Sequence, residues 1–297
     1  MIKQLLRIIV AIFIILATVT CADIIFGRII DRLYVDSDCT KFGYAINSSE
    51  NPELIFVGSS RAQHHYDTPF INDSLHITAL NLGEAGRGLT YSYAIIASYL
   101  QRHHPKVVIL ELLPDDLSGE LNDRIKPLFP FVDSVNSISE AANMVDSKNL
   151  LLLNSHFLRY NSEIINVVKA IRHPYNNNNY GYIPLKEKKR THRIARTHRV
   201  VNEKIDSVAL KSLFNIVNIC KQNNVKLAVA FSPEYFMPYP PLHIFLIINQ
   251  LDIHLIDYRQ YSPNKTDEAF YDNYHLTGYG AREYTRFFIE SNSDLFD

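Results

Sequence analysis

The stretch Leu54-Ile55-Phe56-Val57-Gly58-Ser59-Ser60 decides the fold class of this 297-residue chain. Its first four residues are apolar and a glycine closes the run, which is the pattern of a short strand buried in a parallel sheet. Four further runs of this kind follow, at 77–82, 106–112, 226–231 and 254–257. Helical stretches lie between them or after them, at 88–103, 206–223, 240–250 and 278–291. Strands that alternate with helices predict an α/β fold, three layers deep, around a central parallel sheet.

The segments that directly follow the predicted strands are the natural place to look for a functional site. In an open parallel sheet, ligands bind beyond the carboxyl ends of the strands. Glycine, serine and acidic side chains follow four of the strands, in the segments 58–60, 83–86, 114–116 and 232–234. We expect these segments to gather at one edge of the sheet.

Two of the candidate residues lie close together near the C-terminus. Asp272 precedes His275 by three residues, just before the predicted helix at 278–291. A serine hydroxyl becomes a nucleophile when a histidine removes its proton and a carboxylate orients that histidine. Together with Ser60, which follows the first strand, these residues predict acyl chemistry. Ser60 would be the nucleophile, His275 the base and Asp272 the residue that orients the base.

Three blocks of the sequence resemble the SGNH (GDSL-type) hydrolase superfamily. Gly58-Ser59-Ser60 stands where that family has Gly-Asp-Ser, the segment 81–86 resembles its second block, and the segment 272–276 resembles its last block. The blocks span residues 54–290, with one long insertion unmatched. The resemblance implies a flavodoxin-like SGNH fold and catalytic roles for Ser60, Asp272 and His275. It also implies an oxyanion hole built from the N–H groups of Ser60 and Gly86.

The third block of that family departs from the pattern. The asparagine that donates to the oxyanion is absent, and Asp115 occupies its place in Leu113-Pro114-Asp115-Asp116. An ionised carboxylate there would oppose a negative transition state. Three outcomes stay open: Arg61 or Asn81 replaces the donor, the Ser60 and Gly86 N–H groups act alone, or catalysis is impaired. Arg61, Asn81, Asp115 and Glu234 are the candidate substrate-binding residues, since each lies in a segment close to a strand end. Two alternatives stay open: Arg61 forms an ion pair with Glu84 or Glu111, and Glu234 is a carboxylate at a helix start.

The N-terminus predicts a membrane segment. Lys3 and Arg7 precede an apolar stretch that extends to Gly27, about 20 residues or roughly 30 Å of helix, which is enough to cross a bilayer. The basic residues predict a cytoplasmic N-terminus and a body outside the bacterial-type cytoplasmic membrane, in the periplasm. A retained signal anchor is favoured. A cleaved signal peptide and a lipoprotein attached at Cys21 are the alternatives.

The composition of the sequence predicts how the chain is divided into segments. Residues 1–27 are predicted to be the transmembrane helix, 28–50 a stalk or linker, and 51–297 an SGNH-like catalytic domain. An insertion at about 117–205, between the third and fourth strands, has a helical part at 139–172. It ends in a basic segment, 186–199, which is either a solvated loop or a patch for an anionic polysaccharide, lipid headgroups or a membrane partner.

Charge and cysteine content exclude two classes of function. The formal net charge of -1 argues against a nucleic-acid-binding protein. Cys21, Cys39 and Cys220 show neither a metal-binding spacing nor a disulfide framework. No metal site is predicted, and the predicted chemistry needs no cofactor.

The single N-terminal span, the Gly-Ser-Ser-Arg form of the first block and the absent asparagine are similar to one subgroup of the superfamily. This subgroup comprises membrane-anchored SGNH-like proteins that work beside membrane-bound O-acyltransferases, such as the alginate O-acetylation proteins and the teichoic-acid D-alanyl transfer protein. The resemblance implies transfer of an acyl group onto a cell-envelope polysaccharide. An esterase of the same fold and a non-catalytic scaffold or glycan-binding partner are the alternatives.

Overall fold

The structure of the chain is a computed structural model that describes residues 2–113, 115–161, 163–186, 204–235, 242–261 and 268–296. Its strands are β1 (Leu54–Gly58), β2 (Ala79–Asn81), β3 (Val107–Glu111), β4 (Lys226–Phe231) and β5 (His254–Asp257). Its α-helices are α1 (Ile2–Tyr34), α2 (Lys41–Asn47), α3 (Ser60–His65), α4 (Thr68–Leu75), α5 (Leu89–Leu100), α6 (Ser137–Val145), α7 (Asn149–Leu153), α8 (His156–Asn161), α9 (Ile164–Arg172), α10 (Ser207–Gln222), α11 (Leu242–Gln250) and α12 (Gly278–Ser291). Short 3₁₀ helices lie at Asp116–Ser118, Lys126–Phe131 and Ser293–Leu295.

The five strands form one parallel sheet in the order β2-β1-β3-β4-β5. Leu54 lies opposite Ala79 on one side and Val107 on the other, so β1 is paired along both edges. This strand order is that of the flavodoxin-like doubly wound fold. The prediction of an α/β fold with a central parallel sheet is confirmed, and all five predicted strands are present.

Helices cover both faces of the sheet. Leu54 and Phe56 of β1 pack in one apolar cluster with Tyr284 and Phe288 of α12. On the opposite face, α5 and α10 pack on the sheet and on each other, where Thr90 Oγ1 lies 2.9 Å from Ser212 Oγ. All five residues of β1 and of β3 are buried because both faces are covered, which explains why these strands read as continuous apolar runs.

Two compact units divide the described chain. The sheet unit comprises Ser48–Ile125 and Asn176–Asp297, and the helical unit comprises Met1–Asn47 and Lys126–Tyr175. The predicted helical insertion between the third and fourth strands is present as α6 to α9, which belong to the helical unit. The range 28–50, predicted as a stalk, instead holds the end of α1 and the whole of α2. The basic segment 186–199 lies outside the described residues except for Lys186.

Helix α1 is long and apolar enough to cross a membrane, a test of length and composition that a signal sequence also passes. Its 33 residues correspond to about 50 Å, more than one bilayer core. Within the helical unit, the Asp23 carboxylate accepts hydrogen bonds from Ser155 Oγ (2.8 Å) and from the N–H groups of His156 (3.0 Å) and Phe157 (2.7 Å). These bonds satisfy backbone N–H groups at the start of α8, and they join α1 to α8 at Asp23.

Candidate active site

Ser60 is presented by a sharp turn between β1 and α3. Gly58 has φ +148°, and a Cβ atom built there would lie 2.5 Å from the carbonyl oxygen of Glu111 on the neighbouring strand. A side chain at this position is therefore excluded by both backbone conformation and space. The turn places Ser60 as the first residue of α3, half-exposed at the carboxyl edge of the sheet.

His275 connects Ser60 to Asp272 through hydrogen bonds. Its Nε2 atom lies 2.7 Å from Ser60 Oγ, and its Nδ1 atom lies 2.9 Å and 3.0 Å from the two oxygens of Asp272. Because an ionised carboxylate only accepts, Nδ1 carries the proton and Nε2 is left to accept from the serine hydroxyl. The structure thus brings together the three residues that the sequence predicts as catalytic. Ser60 lies more than 200 positions before Asp272 and His275 in the chain.

Local hydrogen bonds hold Asp272 in this orientation. Its Oδ1 atom accepts from the backbone N–H groups of Tyr274 (2.8 Å) and His275 (2.9 Å). Burial by itself raises the pKa of Asp272, but the hydrogen bond and the charge of His275, together with these N–H groups, hold that pKa below its ordinary value. The side chains of His275 and Asp272 are 22% and 38% exposed, so a ligand can reach them from solvent.

The loop after β2 lies against the start of α3. The N–H of Glu84 donates to the carbonyl oxygen of Gly58 (3.0 Å), and a Cβ atom built on Gly83 would lie 2.5 Å from the backbone nitrogen of Gln63. Gly86, further along, is half-exposed and has φ +74°. Within the described residues, the N–H groups of Ser60 and Gly86 have no intramolecular acceptor. Both groups therefore remain able to donate to a ligand.

Asp115 stands where the family pattern has asparagine. It is half-exposed and lines a cavity of about 160 Å³, and the lining includes Gly88, Leu113, Asp115, Asp116, Glu120 and Leu121. Ser60 and His275 are not among these lining residues. The preceding residue, Pro114, lies outside the described residues.

Arg61, predicted as a candidate for substrate or oxyanion binding, is instead buried beneath the site. Its guanidinium is fully inaccessible to solvent and forms ion pairs with Glu111 (2.9 Å) and Glu234. Burial by itself lowers the pKa of Arg61, but the two carboxylates outweigh it and hold that pKa above its ordinary value. A side chain without exposed surface cannot contact a substrate, so Arg61 supports the turn that carries Ser60.

Asn81 and Glu234, two further candidates for substrate binding, are also buried. Asn81 is fully buried, donates to the carbonyl oxygen of Ala62 (2.6 Å) and accepts from the N–H of Gly83 (3.0 Å). Its amide therefore links the loop after β2 to α3 and is not available as an oxyanion donor. Glu234 is 1% exposed and pairs with Arg61. Of the four candidate substrate-binding residues, Asp115 lines the cavity described above.

His65, in α3, is a further candidate for a role at the site. It is fully buried, its Nε2 atom accepts the N–H of Leu276 (3.0 Å), and its Nδ1 atom donates to Ser232 Oγ (2.7 Å). Ser232 in turn donates to Glu111 (2.6 Å). Burial, and then the charge of Arg61, lower the pKa of His65 well below its ordinary value, so the ring is neutral.

This chain of buried groups joins two residues that adjoin the site. Leu276 follows His275, and Arg61 follows Ser60. Tyr66 adds a hydrogen bond to Glu111 (2.5 Å), and burial raises the pKa of Tyr66 well above its ordinary value, so it remains a donor. No sequence signal identifies His65, because its partners Ser232 and Leu276 are 167 and 211 positions away. Across the described residues there is no group of three or more histidine, cysteine, aspartate or glutamate side chains suited to a metal ion.

Comparisons with known proteins give a likeness in structure alone. No protein-family model and no curated protein matches the chain. A protein from Bacteroides fragilis described as a candidate acylhydrolase shares 12% identity over 85% of this chain and 95% of its own, with a TM-score of 0.42. A GDSL-like lipase from Bacteroides thetaiotaomicron shares 12% identity over 86% and 99% of the two chains, with a TM-score of 0.40.

A third solved structure, described as a candidate platelet activating factor from Streptococcus pneumoniae, shares 10% identity over 97% of this chain and 99% of its own, with a TM-score of 0.45. Likenesses of this size do not define an activity. The class of protein is therefore described by the chain itself: a flavodoxin-like α/β unit with a hydrogen-bonded serine, histidine and aspartate at the carboxyl edge of its sheet.

Proposed function

We propose that this chain is a serine acyl enzyme in which Ser60 is the nucleophile. The hydrogen-bonded chain from Ser60 Oγ through His275 to Asp272 is the observation that carries the proposal. It supplies a nucleophile, a base within reach and a carboxylate that sets the tautomer of the base. The N–H groups of Ser60 and Gly86 are the proposed oxyanion donors.

The proposed reaction has two halves. In the first, Ser60 Oγ attacks the acyl carbonyl while its proton moves to His275 Nε2, and the negative carbonyl oxygen is held by the two N–H donors. His275 then gives that proton to the departing oxygen, and the acyl group remains on Ser60. In the second half, His275 Nε2 removes a proton from an incoming hydroxyl as its oxygen attacks the acyl carbonyl. The bond from the carbonyl carbon to Ser60 Oγ then breaks, and His275 returns the proton to Ser60 Oγ.

We further propose that the incoming hydroxyl belongs to a cell-envelope polysaccharide outside the cytoplasmic membrane. Support comes from α1, which is suited to anchor the chain in a membrane, and from the absence of the asparagine donor. A membrane-bound O-acyltransferase is the proposed source of the acyl group. Water as the acceptor would instead make the chain an esterase.

Covalent labelling tests the nucleophile. The full chain in detergent is treated with a fluorophosphonate probe, and the modified residue is identified by mass spectrometry. We expect labelling at Ser60, its loss in Ser60→Ala and a strong reduction in His275→Ala, with Ser59→Ala as the matched control. A folded wild-type chain that does not label at Ser60 would favour the non-catalytic scaffold.

Product analysis separates transfer from hydrolysis. Wild type is given a p-nitrophenyl acyl ester with and without soluble envelope polysaccharide, and acylated glycan and free acid are measured together. We expect acylated glycan to form at the expense of free acid. Free acid alone, formed at the same rate with and without glycan, would identify an esterase and contradict the transfer proposal.

A further inference from the structure

Two arginines lie around Gly86, the proposed oxyanion glycine, and no role has yet been given to either. The Nη1 atom of Arg124 lies 3.4 Å from the point where a Cβ atom of Gly86 would stand. Arg87 follows Gly86 directly, and its Nη1 atom donates to the carbonyl oxygen of Arg124 (3.3 Å). The Arg124 guanidinium thus lies beside Gly86, and the Arg87 guanidinium lies beside the backbone of Arg124.

These two arginines differ from four other arginines of the sheet unit by the absence of an acidic partner. Arg61, Arg259, Arg282 and Arg286 each form an ion pair with a carboxylate. Within the described residues, neither Arg87 nor Arg124 forms one, although Asp115, Asp116 and Glu120 line the cavity next to Gly88. No described carboxylate lies within ion-pair distance of either guanidinium group, so both are available to an anionic ligand.

Arg87 is also held in place before any ligand arrives. Its guanidinium lies over the ring of Tyr91, 5.3 Å from the ring centroid, and its Nε atom is buried without a hydrogen-bond partner among the described residues. A buried donor without a partner is unfavourable. The residue as a whole is half-exposed, so an anion can approach Arg87 from solvent. The planar guanidinium suits a carboxylate or a phosphate, which can accept two hydrogen bonds from it.

We propose that Arg87 and Arg124 form an anion-binding subsite that takes a carboxylate or phosphate group of the substrate. The inference rests on the proposed function, because it places this group beside the acyl carbonyl at Gly86. It names the substrate class more closely: an ester donor or a glycan acceptor that carries an oxyanion near the reacting hydroxyl. Neutral polysaccharide would leave both guanidinium groups unpaired.

Equilibrium binding tests the subsite independently of catalysis. Inorganic phosphate, glycerol phosphate and trigalacturonate are titrated by calorimetry into the full-length Ser60→Ala chain in detergent, at constant ionic strength, with maltotriose as the neutral ligand. We expect at least one of the anions to bind and maltotriose not to bind. Arg87→Gln and Arg124→Gln should each raise the Kd by about tenfold, as expected for loss of a charge-assisted hydrogen bond.

Arg286→Gln is the matched control, since Arg286 is an arginine of the same unit that pairs with Glu283. Binding of trigalacturonate alone would identify a uronate, and binding of the phosphates alone would identify a phosphate. Absence of anion binding, or a Kd equal in the Arg87, Arg124 and Arg286 variants, would overturn the proposal. If a glutamine variant fails to fold, Arg87→Lys and Arg124→Lys replace it, and these should weaken binding by a smaller factor because lysine lacks the planar fork.

The subsite and the catalytic proposal can fail separately. Arginine-dependent anion binding in a chain that does not label at Ser60 would retain the subsite and reject the acyl enzyme. Labelling at Ser60, together with anion binding that does not change in the Arg87 and Arg124 variants, would retain the acyl enzyme and reject the subsite.

Discussion

At the residue scale, the direction of each hydrogen bond around His275 determines what the site can do. Asp272 accepts from Nδ1, so Nε2 faces Ser60 as an acceptor. The carboxylate thereby selects one of two tautomers, and its own low pKa keeps it ionised at neutral pH. The orientation is local in origin, because Asp272 accepts from the N–H groups of residues two and three positions further along the chain.

Replacing Asp272 by asparagine removes this selection. The Asp272→Asn side chain can donate to Nδ1 and so favour the wrong tautomer, with little change in shape. We expect the rate of fluorophosphonate labelling at Ser60 to fall by about 10³–10⁴-fold. Asp252→Asn, at an exposed position away from the site, should label at the wild-type rate, and an undiminished rate in Asp272→Asn would remove Asp272 from the proposed machinery.

His65 makes stability depend on pH. Its pKa is lowered in the folded chain, so the unfolded chain binds the extra proton first as the pH falls through about 6.5. Stability supplied by the neutral ring is present above that pH and is lost towards the lower pKa of the folded state. We expect the free energy of unfolding to fall by up to about 1.4 kcal/mol per pH unit below this point.

Urea unfolding of the full chain in detergent, between about pH 7 and about pH 5, measures this effect. His65→Gln should reduce the change in the free energy of unfolding with pH. His104→Gln, a control at an exposed position, should leave that change as it is in wild type. Equal slopes in wild type and His65→Gln would show that another group is responsible.

At the element scale, short turns place the site groups. The turn from β1 into α3 requires a glycine at position 58, and the loop after β2 packs on α3 through Gly83. These two loops follow neighbouring strands, which is why residues from separate segments meet at one edge. The proposed oxyanion donors, which are backbone N–H groups, are therefore positioned by loop geometry.

Gly86 tests this dependence. Its φ of +74° is unfavourable for other residues, whereas the space for a Cβ atom is almost open. We expect Gly86→Ala to lower the free energy of unfolding by about 1–2 kcal/mol and to slow labelling at Ser60 as its N–H turns away.

Gly278→Ala is the matched control for Gly86→Ala. Gly278 starts α12 without a positive φ, and a Cβ atom built there would meet nothing closer than 3.4 Å. Gly278→Ala should therefore leave the free energy of unfolding and the rate of labelling at Ser60 near their wild-type values. A Gly86→Ala chain with wild-type stability and labelling would exclude a role for this N–H.

At the scale of the whole molecule, the chain combines a sheet unit that holds the site with a helical unit that includes α1. The two units interleave in sequence, since residues 126–175 return to the unit formed by the N-terminus. The predicted helical part of the insertion, at 139–172, thus belongs to a compact unit other than the one that holds the strands on either side of it.

The function of α1 is tested in the cell envelope. We expect the intact chain to stay in the membrane fraction after carbonate extraction, because about 20 apolar residues favour insertion. A chain lacking residues 2–22 should be released. Intact mass decides whether the segment is retained, and a mature protein that begins after it would establish a cleaved signal instead.

Some features of the protein could be predicted from the sequence and others could not. The strands and most helices follow from local apolar periodicity, so the fold class and the boundaries of α12 were predictable. Asp272 and His275 were predictable as a pair, since they are three residues apart. The burial of Arg61, Asn81 and Glu234 was not predictable, because it depends on partners that lie far away in the chain, although the pairing of Arg61 with Glu111 was one of the interpretations left open.

The sequence by itself determined the α/β class, the apolar N-terminal segment and the three residues that meet at the strand edge. These features depend on neighbours along the chain or on the general geometry of parallel sheets. The tertiary structure decided the strand order, the burial of Arg61 beneath Ser60, the neutral state of His65 and the position of Arg87 and Arg124 beside Gly86. Each of these depends on packing between residues that are distant in sequence, where solvent exclusion and charge partners are set only by the folded chain.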